Sequence, residues 1–262
     1  MLRAFSSAAT GMAAQDQIVG VISNNLSNIN TNGFKRSQVD FQDLMYVKLL
    51  EAGRDVASGQ KAPTGLEIGN GVRTAATLKV FTQGEAQATS RPLDMSIQGE
   101  GFFQVEMPSG DMRYTRDGSF RLNAEGKLVT ASGYYLSPQI TIPQDARSVS
   151  IGDDGTVTVM QGNSNQNTAV GKIDLVRFVN PSGLSSEGQN LFAETGASGS
   201  PTTGSPGSDG LGSIRQGFLE KSNVQMVSEL VNLITAQRAY EVNAKAIKAG
   251  DEMLTTANRL IT

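Results

Sequence analysis

The side chains that most often carry catalysis and metal binding are missing from this chain of 262 residues, which contains no histidine and no cysteine. Without histidine the chain lacks the commonest general base, the commonest metal ligand and the usual partner of a nucleophilic serine. Without cysteine it lacks disulfides, thiolate metal sites and thiol nucleophiles. The remaining candidates for chemistry are carboxylates and glycine-containing turns.

None of these candidates forms a recognisable site. The segment 99–103 contains G-x-G but lacks the third glycine and the following helix of a dinucleotide loop, so it predicts a tight turn or β-bulge before a strand. The segment 153–155 (DDG) lacks the later acidic ligands of an EF-hand loop and predicts a hairpin turn. Two distant carboxylates could meet in space as in glycoside hydrolases, but the sequence singles out no pair. We therefore predict no catalytic residue, no metal site, no cofactor and no enzyme activity.

Charge and hydropathy exclude two further classes of partner. The net charge is −3 and the chain has no run of Lys or Arg, so we predict no nucleic-acid surface. No stretch of 18 or more apolar residues occurs, so we predict no membrane-inserted helix. The N-terminus lacks a continuous apolar region and does not predict a cleaved signal peptide. The 29 glycines, the absence of Trp and the hydrophobic content of 38% favour a β-rich, turn-rich protein.

The C-terminal stretch has the spacing of a long helix, and the rest of the chain is organised around it. One row recurs every three or four residues, which is typical of a helix with a narrow apolar seam. Its members are Met226, Glu229, Leu233, Ala236, Tyr240, Asn243, Ile247, Gly250, Leu254, Ala257 and Ile261. A second row lies beside the first half of this seam and consists of Val227, Leu230, Val231 and Ile234. Two apolar rows indicate a helix that contacts more than one neighbour.

The N-terminal stretch follows the same spacing. The row consists of Phe5, Ala8, Met12, Gln15, Val19, Ile22, Leu26 and Ile29. Gly11, Gly20 and the Ser/Asn cluster at 23–28 lower its helix propensity. Because isolated helices are marginal in water, we expect this helix to be mostly unfolded on its own.

The end of the first helix carries several amides. We predict that the helix ends near 30–33, where Asn32 or Gly33 can adopt the left-handed cap. Asn24, Asn25 and Asn28 allow two interpretations. They form either a polar face with a fraying end, or a set of amides that hydrogen-bond between packed helices and fix their register.

The middle of the chain changes to short alternating or apolar runs separated by X-Gly pairs. The pairs are Ser109-Gly110, Asp117-Gly118, Glu125-Gly126, Ser132-Gly133 and Asp154-Gly155. Such pairs between alternating runs indicate antiparallel hairpins, so we predict an all-β domain. Before it, residues 51–71 form a Gly-rich polar segment longer than ordinary connections. After it, the Gly/Ser/Pro-rich segment 196–213 predicts a surface loop or linker that buries no core.

Two terminal motifs resemble the signatures of the bacterial flagellar rod and hook proteins, the axial family. The N-terminal motif lies in SNNLSNINTNGFKR at 23–36 and includes Asn24, Asn25, Leu26, Asn28, Thr31, Gly33 and Phe34. The C-terminal motif includes Gln237, Arg238, Ala239, Tyr240 and Glu241. The segments 99–103, 114–120 and 140–143 are similar to the β domain of these proteins. Ser27, where Ala is common in the family, is a small departure, and the resemblance covers essentially the whole chain.

The resemblance implies an α+β fold with terminal α-helices that form a coiled-coil-like assembly domain, an antiparallel all-β domain and an extended connecting segment. We expect a discontinuous helical domain at 1–35 and 218–262, a connecting segment at 36–71 and a β domain at 72–217. The predicted helical seams consist of Phe5, Met12, Val19, Ile22, Leu26, Ile29, Leu230, Leu233, Ile234, Tyr240, Ile247, Leu254 and Ile261. One apolar row per helix would serve the intrachain pair and the other would serve neighbouring copies.

The resemblance also implies a place and a set of partners. Relatives near the base of the rod usually lack a long segment like 48–66, and the hook protein is usually longer in its middle, so we expect a subunit of the distal rod. Its expected location is the basal body in the periplasm, reached through the flagellar type III export apparatus. The expected partners are further copies of itself, the proximal rod proteins and hook protein at its ends, and the surrounding envelope ring, or bushing.

Two other classes of function remain as alternatives to an axial subunit. The first is a secreted adhesin or carbohydrate-binding β domain with helical ends for oligomerisation. That class predicts an exposed aromatic platform, which the absence of Trp and the presence of only five Tyr disfavour. The second is a carboxylate-dependent hydrolase, which predicts a concave acidic cleft. A proximal-rod or hook-type subunit is the alternative within the family.

Overall fold

The computed structural model describes residues 2–57, 60–61, 63–161 and 167–261. The chain divides into two compact units, each built from separate segments. Residues 1–26, 37–78 and 225–262 form the first, which we call the helical unit. Residues 27–36 and 79–224 form the second, which we call the β unit. These boundaries differ from the expected domains: the loop at 27–36 belongs to the β unit, and most of the connecting segment belongs to the helical unit.

In the part that the structure describes, the helical unit contains both α-helices and six short strands. Their bounds are α1 Leu2–Ser27, β1 Ser37–Asp43, β2 Val47–Leu50, β3 Asp55–Ala57, β4 Gln60–Lys61, β5 Leu66–Ile68, β6 Val72–Lys79 and α2 Met226–Ile261. β1 pairs with β6, β2 with β5, and β3 with β4. The described residues of the Gly-rich polar segment 51–71 therefore include three short strands, β3, β4 and β5.

The end of α1 differs from the sequence prediction. α1 ends at Ser27, before the predicted 30–33, because residues 28–34 form consecutive turns that belong to the β unit. α2 begins at Met226. Asn223, a residue with good N-cap propensity, instead binds backbone groups of the β unit. No described helix is both long and apolar enough to span a membrane.

Among its described residues, the β unit contains sixteen strands and one short 3₁₀-helix at Pro181–Gly183. The strands are β7 Ala86–Ala88, β8 Met95–Gln98, β9 Phe102–Glu106, β10 Met112–Thr115, β11 Arg121–Leu122, β12 Leu128–Val129, β13 Tyr135–Ser137, β14 Ala146–Ile151, β15 Thr156–Gln161, β16 Asn167–Lys172, β17 Leu175–Arg177, β18 Ser185–Gly188, β19 Leu191–Ala193, β20 Thr202–Gly204, β21 Ser213–Gln216 and β22 Phe218–Glu220.

A nine-stranded sheet is the largest element of the β unit. Its main path runs β11-β12-β13-β9-β10-β19-β18, and β17 joins it between β9 and β20. The central pair is antiparallel, with Phe103 opposite Thr115. A three-stranded sheet β14-β15-β16 and the pairs β8–β21 and β7–β22 complete the unit. The antiparallel β-rich middle between terminal helices confirms the predicted α+β class.

The X-Gly pairs explain why these strands turn where they do. Gly110, Gly126, Gly133 and Gly155 all have positive φ, and each lies between two antiparallel strands. This left-handed conformation favours glycine, so the predicted hairpin turns are confirmed at these positions. Gly118 is needed for close packing rather than for a turn. A Cβ there would lie 1.6 Å from the carbonyl oxygen of Met95.

One large core and one aromatic cluster fill the β unit. The core consists of Met95, Ile97, Phe103, Val105, Phe120, Leu128, Leu136, Ile140, Ile142, Ile151, Val157, Val159, Ile173, Leu175, Leu191, Leu211 and Ile214. The aromatic cluster packs Phe81, Phe102, Phe178, Phe192 and Tyr114 edge to face. Leu211 corrects one prediction: the segment 196–213 does contribute to the core, and it also contains strand β20.

Candidate assembly interface

The two helices pack against each other inside the helical unit. Ala8, Ala14 and Ile22 of α1 are buried, as is Ala236 of α2. Glycine permits the closest approach, since a Cβ on Gly250 would lie 2.6 Å from the Phe5 ring. Asn243 and Gly250 of the first apolar row of α2 therefore lie against Gly11 and Phe5 of α1.

The predicted seam residues lie at several levels of burial. Ile22 is buried, whereas Phe5, Met12, Val19, Leu26, Leu233, Ile247 and Leu254 are half-buried. Tyr240 is 45% exposed although its spacing places it in the first row. Ile29 lies past the end of α1 and belongs to the β unit, so the helical seam ends at Leu26. Ile261 closes α2, and its side chain lies outside the described part of the structure.

The second row of α2 faces solvent. Val227 is 75% exposed and Val231 is 56% exposed, and the predicted seam residues Leu230 and Ile234 are likewise exposed. A helix normally buries its apolar stripe against the core. This stripe lacks such cover, so we define Val227, Leu230, Val231 and Ile234 as the outward apolar patch.

A cleft of about 310 Å³ opens beside the helix contact. Asp16 and Val19 line it from α1, and Gln237, Tyr240 and Glu241 line it from α2. The C-terminal motif therefore divides between two surfaces of α2. Three of its residues line this cleft, Ala239 is half-buried, and Arg238 is exposed outside the lining.

The N-terminal motif does not act as the sequence suggested. Asn25 is buried, and its amide nitrogen donates to the Ser37 carbonyl oxygen at 2.9 Å. Its amide oxygen accepts a bond from the Ser37 backbone N–H at 2.8 Å. Asn25 therefore fixes where the chain leaves α1 for β1, so neither of the two interpretations, an exposed fraying face or an amide between packed helices, describes this residue. Asn24 is exposed on α1.

The rest of that motif forms turns inside the β unit. Thr31 donates its backbone N–H and its hydroxyl to Asn28, and the Phe34 N–H reaches the Thr31 carbonyl at 3.3 Å. Gly33 has φ +67° and donates its N–H to the Glu220 carbonyl at 2.8 Å. A side chain at Gly33 would lie 2.6 Å from the Asp117 backbone nitrogen, so only glycine fits.

A buried ion cluster, which no local sequence pattern indicated, lies next to these turns. Lys35 Nζ lies 2.5 Å from Glu220 Oε1, and both side chains are almost fully buried. Arg116 Nη1 lies 3.5 Å from the other carboxylate oxygen of Glu220. Lys35 also donates to the Thr82 carbonyl, and the Gly84 N–H donates to Glu220. Desolvation lowers the pKa of Lys35 and the pKa of Arg116, while the Glu220 carboxylate opposes both shifts.

The side chain of Asn223 hydrogen-bonds to backbone groups of the same chain segments. Its amide oxygen accepts from the Arg36 N–H at 2.8 Å, and its amide nitrogen donates to the Val80 carbonyl at 2.8 Å. The Val80 N–H in turn donates to the Arg36 carbonyl. Residues 33–36, 80–84 and 220–223 are therefore tied together within the β unit. We call the three charged residues and Asn223 the clasp.

The glycine and carboxylate candidates have turn geometry. Gly99 and Gly101 both have positive φ immediately before β9, which confirms the predicted turn at G-x-G. Asp154 lies in the β14–β15 turn, where bonds from Thr156 lower the pKa of its carboxyl group. In the part of the chain that the structure describes, no group of three or more acidic side chains could hold a metal ion.

Comparisons with known proteins find family matches at both ends of the chain and in its middle. Residues 5–35 match the family described as Flagella basal body rod protein. Residues 96–159 match the Flagellar hook protein FlgE/F/G D1 domain, and residues 215–260 match the Flagellar basal body rod FlgEFG protein C-terminal family. None of these matches supports the adhesin alternative.

Full-length relatives extend this similarity. The flagellar basal-body rod protein FlgG of Buchnera aphidicola (subsp. Schizaphis graminum) is 47% identical over 251 residues, which cover 96% of each chain. FlgG of Borreliella burgdorferi is 45% identical over 262 residues, covering 99% of each chain. FlgG of Caulobacter vibrioides is 45% identical over 260 residues, again covering 99% of each. The chain therefore belongs to the flagellar basal-body rod protein family and is a structural protein of the flagellar rod.

Proposed function

We propose that this chain is a subunit of the distal rod, and that copies assemble through their helical units into a rigid helical tube. The tube would carry motor torque across the periplasm to the hook. The outward apolar patch on α2 is the observation that carries the proposal. Contiguous apolar surface on a soluble protein is typical of an interaction site, and the intrachain partner α1 packs on a different face. A head-to-tail contact that does not close into a ring produces an open helical filament.

The hairpin formed by β2 and β5 supports the proposed position of the subunit in the distal rod and the proposed stiffness of the tube. Leu49, Leu50 and Leu66 are exposed on it, and Met45 just before it is 87% exposed. These side chains have no core of their own to enter. The segment 48–66 would therefore reach a neighbouring copy and prevent the copies from sliding. A chain lacking 48–66 should form filaments that bend, as measured by filament curvature in electron micrographs. Unchanged curvature would refute this role.

The β unit would face the surrounding envelope ring. Its large exposed apolar side chains, among the described residues, are only Met112, Leu122 and Val179. A surface of this kind adheres weakly, which suits a shaft that turns within a bushing. Proximal rod proteins and the hook protein would contact the two ends of the tube. The weak helix propensity of α1 would help the chain pass unfolded through the type III export apparatus.

Assembly would complete the folding of the helices. α1 carries Gly11, Gly20 and a Ser/Asn-rich end, so its helicity depends on packing. Circular dichroism should therefore show higher helicity in filaments than in monomers. Monomers as helical as filaments would contradict this coupling.

Electron microscopy of the concentrated, purified chain tests the function itself. The proposal predicts helical tubes that elongate from added fragments of preformed tubes. Closed dimers or monomers at every concentration would exclude self-assembly of this kind. A matched chain with Val227→Ser and Val231→Ser should remain folded but lose elongation, because it lacks the apolar contact alone.

A further inference from the structure

The ribbon formed by β2 and β5 has one apolar face. Side chains directly opposite each other in an antiparallel pair share a face, as do side chains two positions apart on one strand. Val47 lies opposite Ile68. A register shift along β2 then places Leu50 opposite Leu66. We define these four apolar residues as the ribbon face.

The ribbon face is open to solvent. Leu66 is 50% exposed, and Leu50 and Ile68 are exposed as well. Lys48 and Glu67 lie opposite each other on the other face, where their charged groups approach to 3.9 Å. A two-stranded ribbon is marginal in water unless a further strand or a helix packs on its apolar side. The ribbon face therefore requires cover from another element.

The outward apolar patch on α2 has the size and chemistry of that cover. Val47 to Leu50 span about 10 Å along the strand, and Val227 to Ile234 span about 10 Å along the helix. Neither surface includes a charged residue. The core of a protein interface is depleted of charge, so the two surfaces can bury each other without leaving a charge unpaired.

The ribbon starts beside the N-terminal half of α1. β1 and β6 run along this helix, because Ser37 binds Asn25 and the Val72 N–H lies 3.4 Å from the Thr10 hydroxyl oxygen. The Leu44 N–H donates to the Gly71 carbonyl, and the ribbon continues the two strands from there. The ribbon therefore begins at the level of Thr10.

The outward apolar patch lies farther along α1. α2 runs antiparallel to α1, since Gly250 lies against the Phe5 ring and Gly11 lies against the Asn243 side chain. The patch lies nine to sixteen residues before Asn243, which places it about 13–24 Å from Gly11 toward the C-terminal end of α1. Within one chain the ribbon thus begins well away from the patch, and both surfaces remain exposed.

We propose that the ribbon face of one copy docks on the outward apolar patch of a second copy that is displaced along the helix axis. A displacement in the same orientation brings the two surfaces together and leaves one of each free at the ends. Because the contact joins two different surfaces, it propagates into an open assembly. This inference rests on the proposed self-assembly and names the surface that the segment 48–66 reaches.

Cysteine cross-linking tests the contact, because the chain has no cysteine of its own. Both Leu66 and Val231 are exposed, and cysteine behaves as a small apolar residue, so Leu66→Cys and Val231→Cys should each still elongate tube fragments. Tubes assembled from an equal mixture of the two variants should form disulfide-linked dimers on oxidation. A disulfide requires Cα atoms within about 7 Å, and in this mixture it can join only separate copies.

A matched control places the cysteine elsewhere on the same face of α2. Lys245 is exposed and lies fourteen residues, or about 21 Å, from Val231 along the helix. Mixed tubes of Leu66→Cys and Lys245→Cys should give at least about tenfold less dimer than the first mixture, as should tubes of Leu66→Cys alone or of Val231→Cys alone. Equal yields would mean that the disulfides report random encounters, and would overturn the contact.

A chain carrying both Leu66→Cys and Val231→Cys separates the possible arrangements. Oxidised tubes of this variant should give a ladder of linked multimers on a denaturing gel. Dimers alone would show two copies that exchange ribbons, and a disulfide within one chain would show a ribbon on its own patch; either result overturns the displaced contact. Tubes that form without a Leu66–Val231 disulfide would also overturn it, while self-assembly stands. Failure of the wild-type chain to form tubes would instead remove the proposed function, and this contact with it.

Discussion

The β unit buries its apolar and charged groups, whereas the helical unit leaves a large share of its apolar groups in solvent. The β unit encloses a core that includes Phe103, Leu136 and Leu175 at 0% exposure, and it even pairs Lys35 with Glu220 out of contact with water. In the helical unit, Ile234 on α2 and Leu49 on β2 are half exposed. The β unit therefore encloses its core within one copy, and the exposed apolar groups of the helical unit support the proposal that neighbouring copies cover them.

The largest effect should come from the clasp, where a charge is buried in the complete unit. Glu220→Leu leaves Lys35 and Arg116 together without their carboxylate, and it removes the acceptor of the Gly84 N–H. Breaking a buried ion pair in this way typically costs about 3–5 kcal/mol. Urea unfolding of the monomer, followed by tyrosine fluorescence, should show a loss of this size.

The exposed pair Arg113–Glu187 provides the matched control for that prediction. Its atoms approach to 2.6 Å, yet Glu187 keeps 39% of its side chain in solvent. Glu187→Leu should therefore cost no more than about 1 kcal/mol. Equal losses in the two variants would mean that burial of the Lys35–Glu220 pair contributes nothing special to the β unit.

The same isoleucine-to-alanine change in each unit compares the two directly. Ile214 is 0% exposed in the core of the β unit, and its truncation should cost about 2–5 kcal/mol. Ile234 is 50% exposed on α2, so its truncation should change monomer stability by only about 0.5 kcal/mol. Tube elongation should be impaired more by Ile234→Ala than by Ile214→Ala, since only Ile234 lies in the outward apolar patch. A loss of monomer stability from Ile234→Ala as large as that from Ile214→Ala would show that the patch is already covered in the monomer.

Two glycine substitutions probe how marginal the helices are. Gly20 is exposed on α1 with no atom within 4 Å of an added Cβ, so Gly20→Ala should stabilise the helix by about 0.5–1 kcal/mol. Monomer helicity, measured by circular dichroism, should rise. Gly250→Ala has the same intrinsic gain in helix propensity. Its Cβ, however, would lie 2.6 Å from the Phe5 ring and would push α1 away. Equal gains from both would mean that α1 and α2 do not pack closely in the monomer.

Periodicity predicted the parts of the fold that depend on repeating patterns. A 3.6-residue period fixes which side chains share a face, and in α2 Gly250 of the first row lies against Phe5 while the second row is exposed. The hairpin turns were found because left-handed backbone favours glycine. The predicted core-free loop at 196–213 was wrong, since composition did not reveal that the single residue Leu211 enters the core.

The clasp could not be predicted for a different reason. Lys35, Arg116 and Glu220 stand far apart in sequence and belong to no repeating pattern, so nothing local links them. Their meeting depends on how the β unit brings 33–36 against β22. Likewise the N-cap propensity of Asn223 gave no sign that its amide would bind Arg36 and Val80 instead. Sequence reasoning located both terminal motifs, but only the fold brings 33–36 and 220–223 together in the clasp.

The smallest effect should be the pH dependence of the clasp. Burial lowers the pKa of Lys35 below its ordinary value of 10.5, so between the two values the unfolded chain binds more protons than the folded one. Stability from this group should therefore rise with pH across that window and level off above 10.5. The Lys35→Met variant also loses the ion pair with Glu220. This loss changes its free energy of unfolding by an amount that does not depend on the titration of Lys35. Urea unfolding at increasing alkaline pH should show the wild type gaining on Lys35→Met, and a gap that stays constant or narrows would mean that Lys35 is not desolvated in the folded monomer.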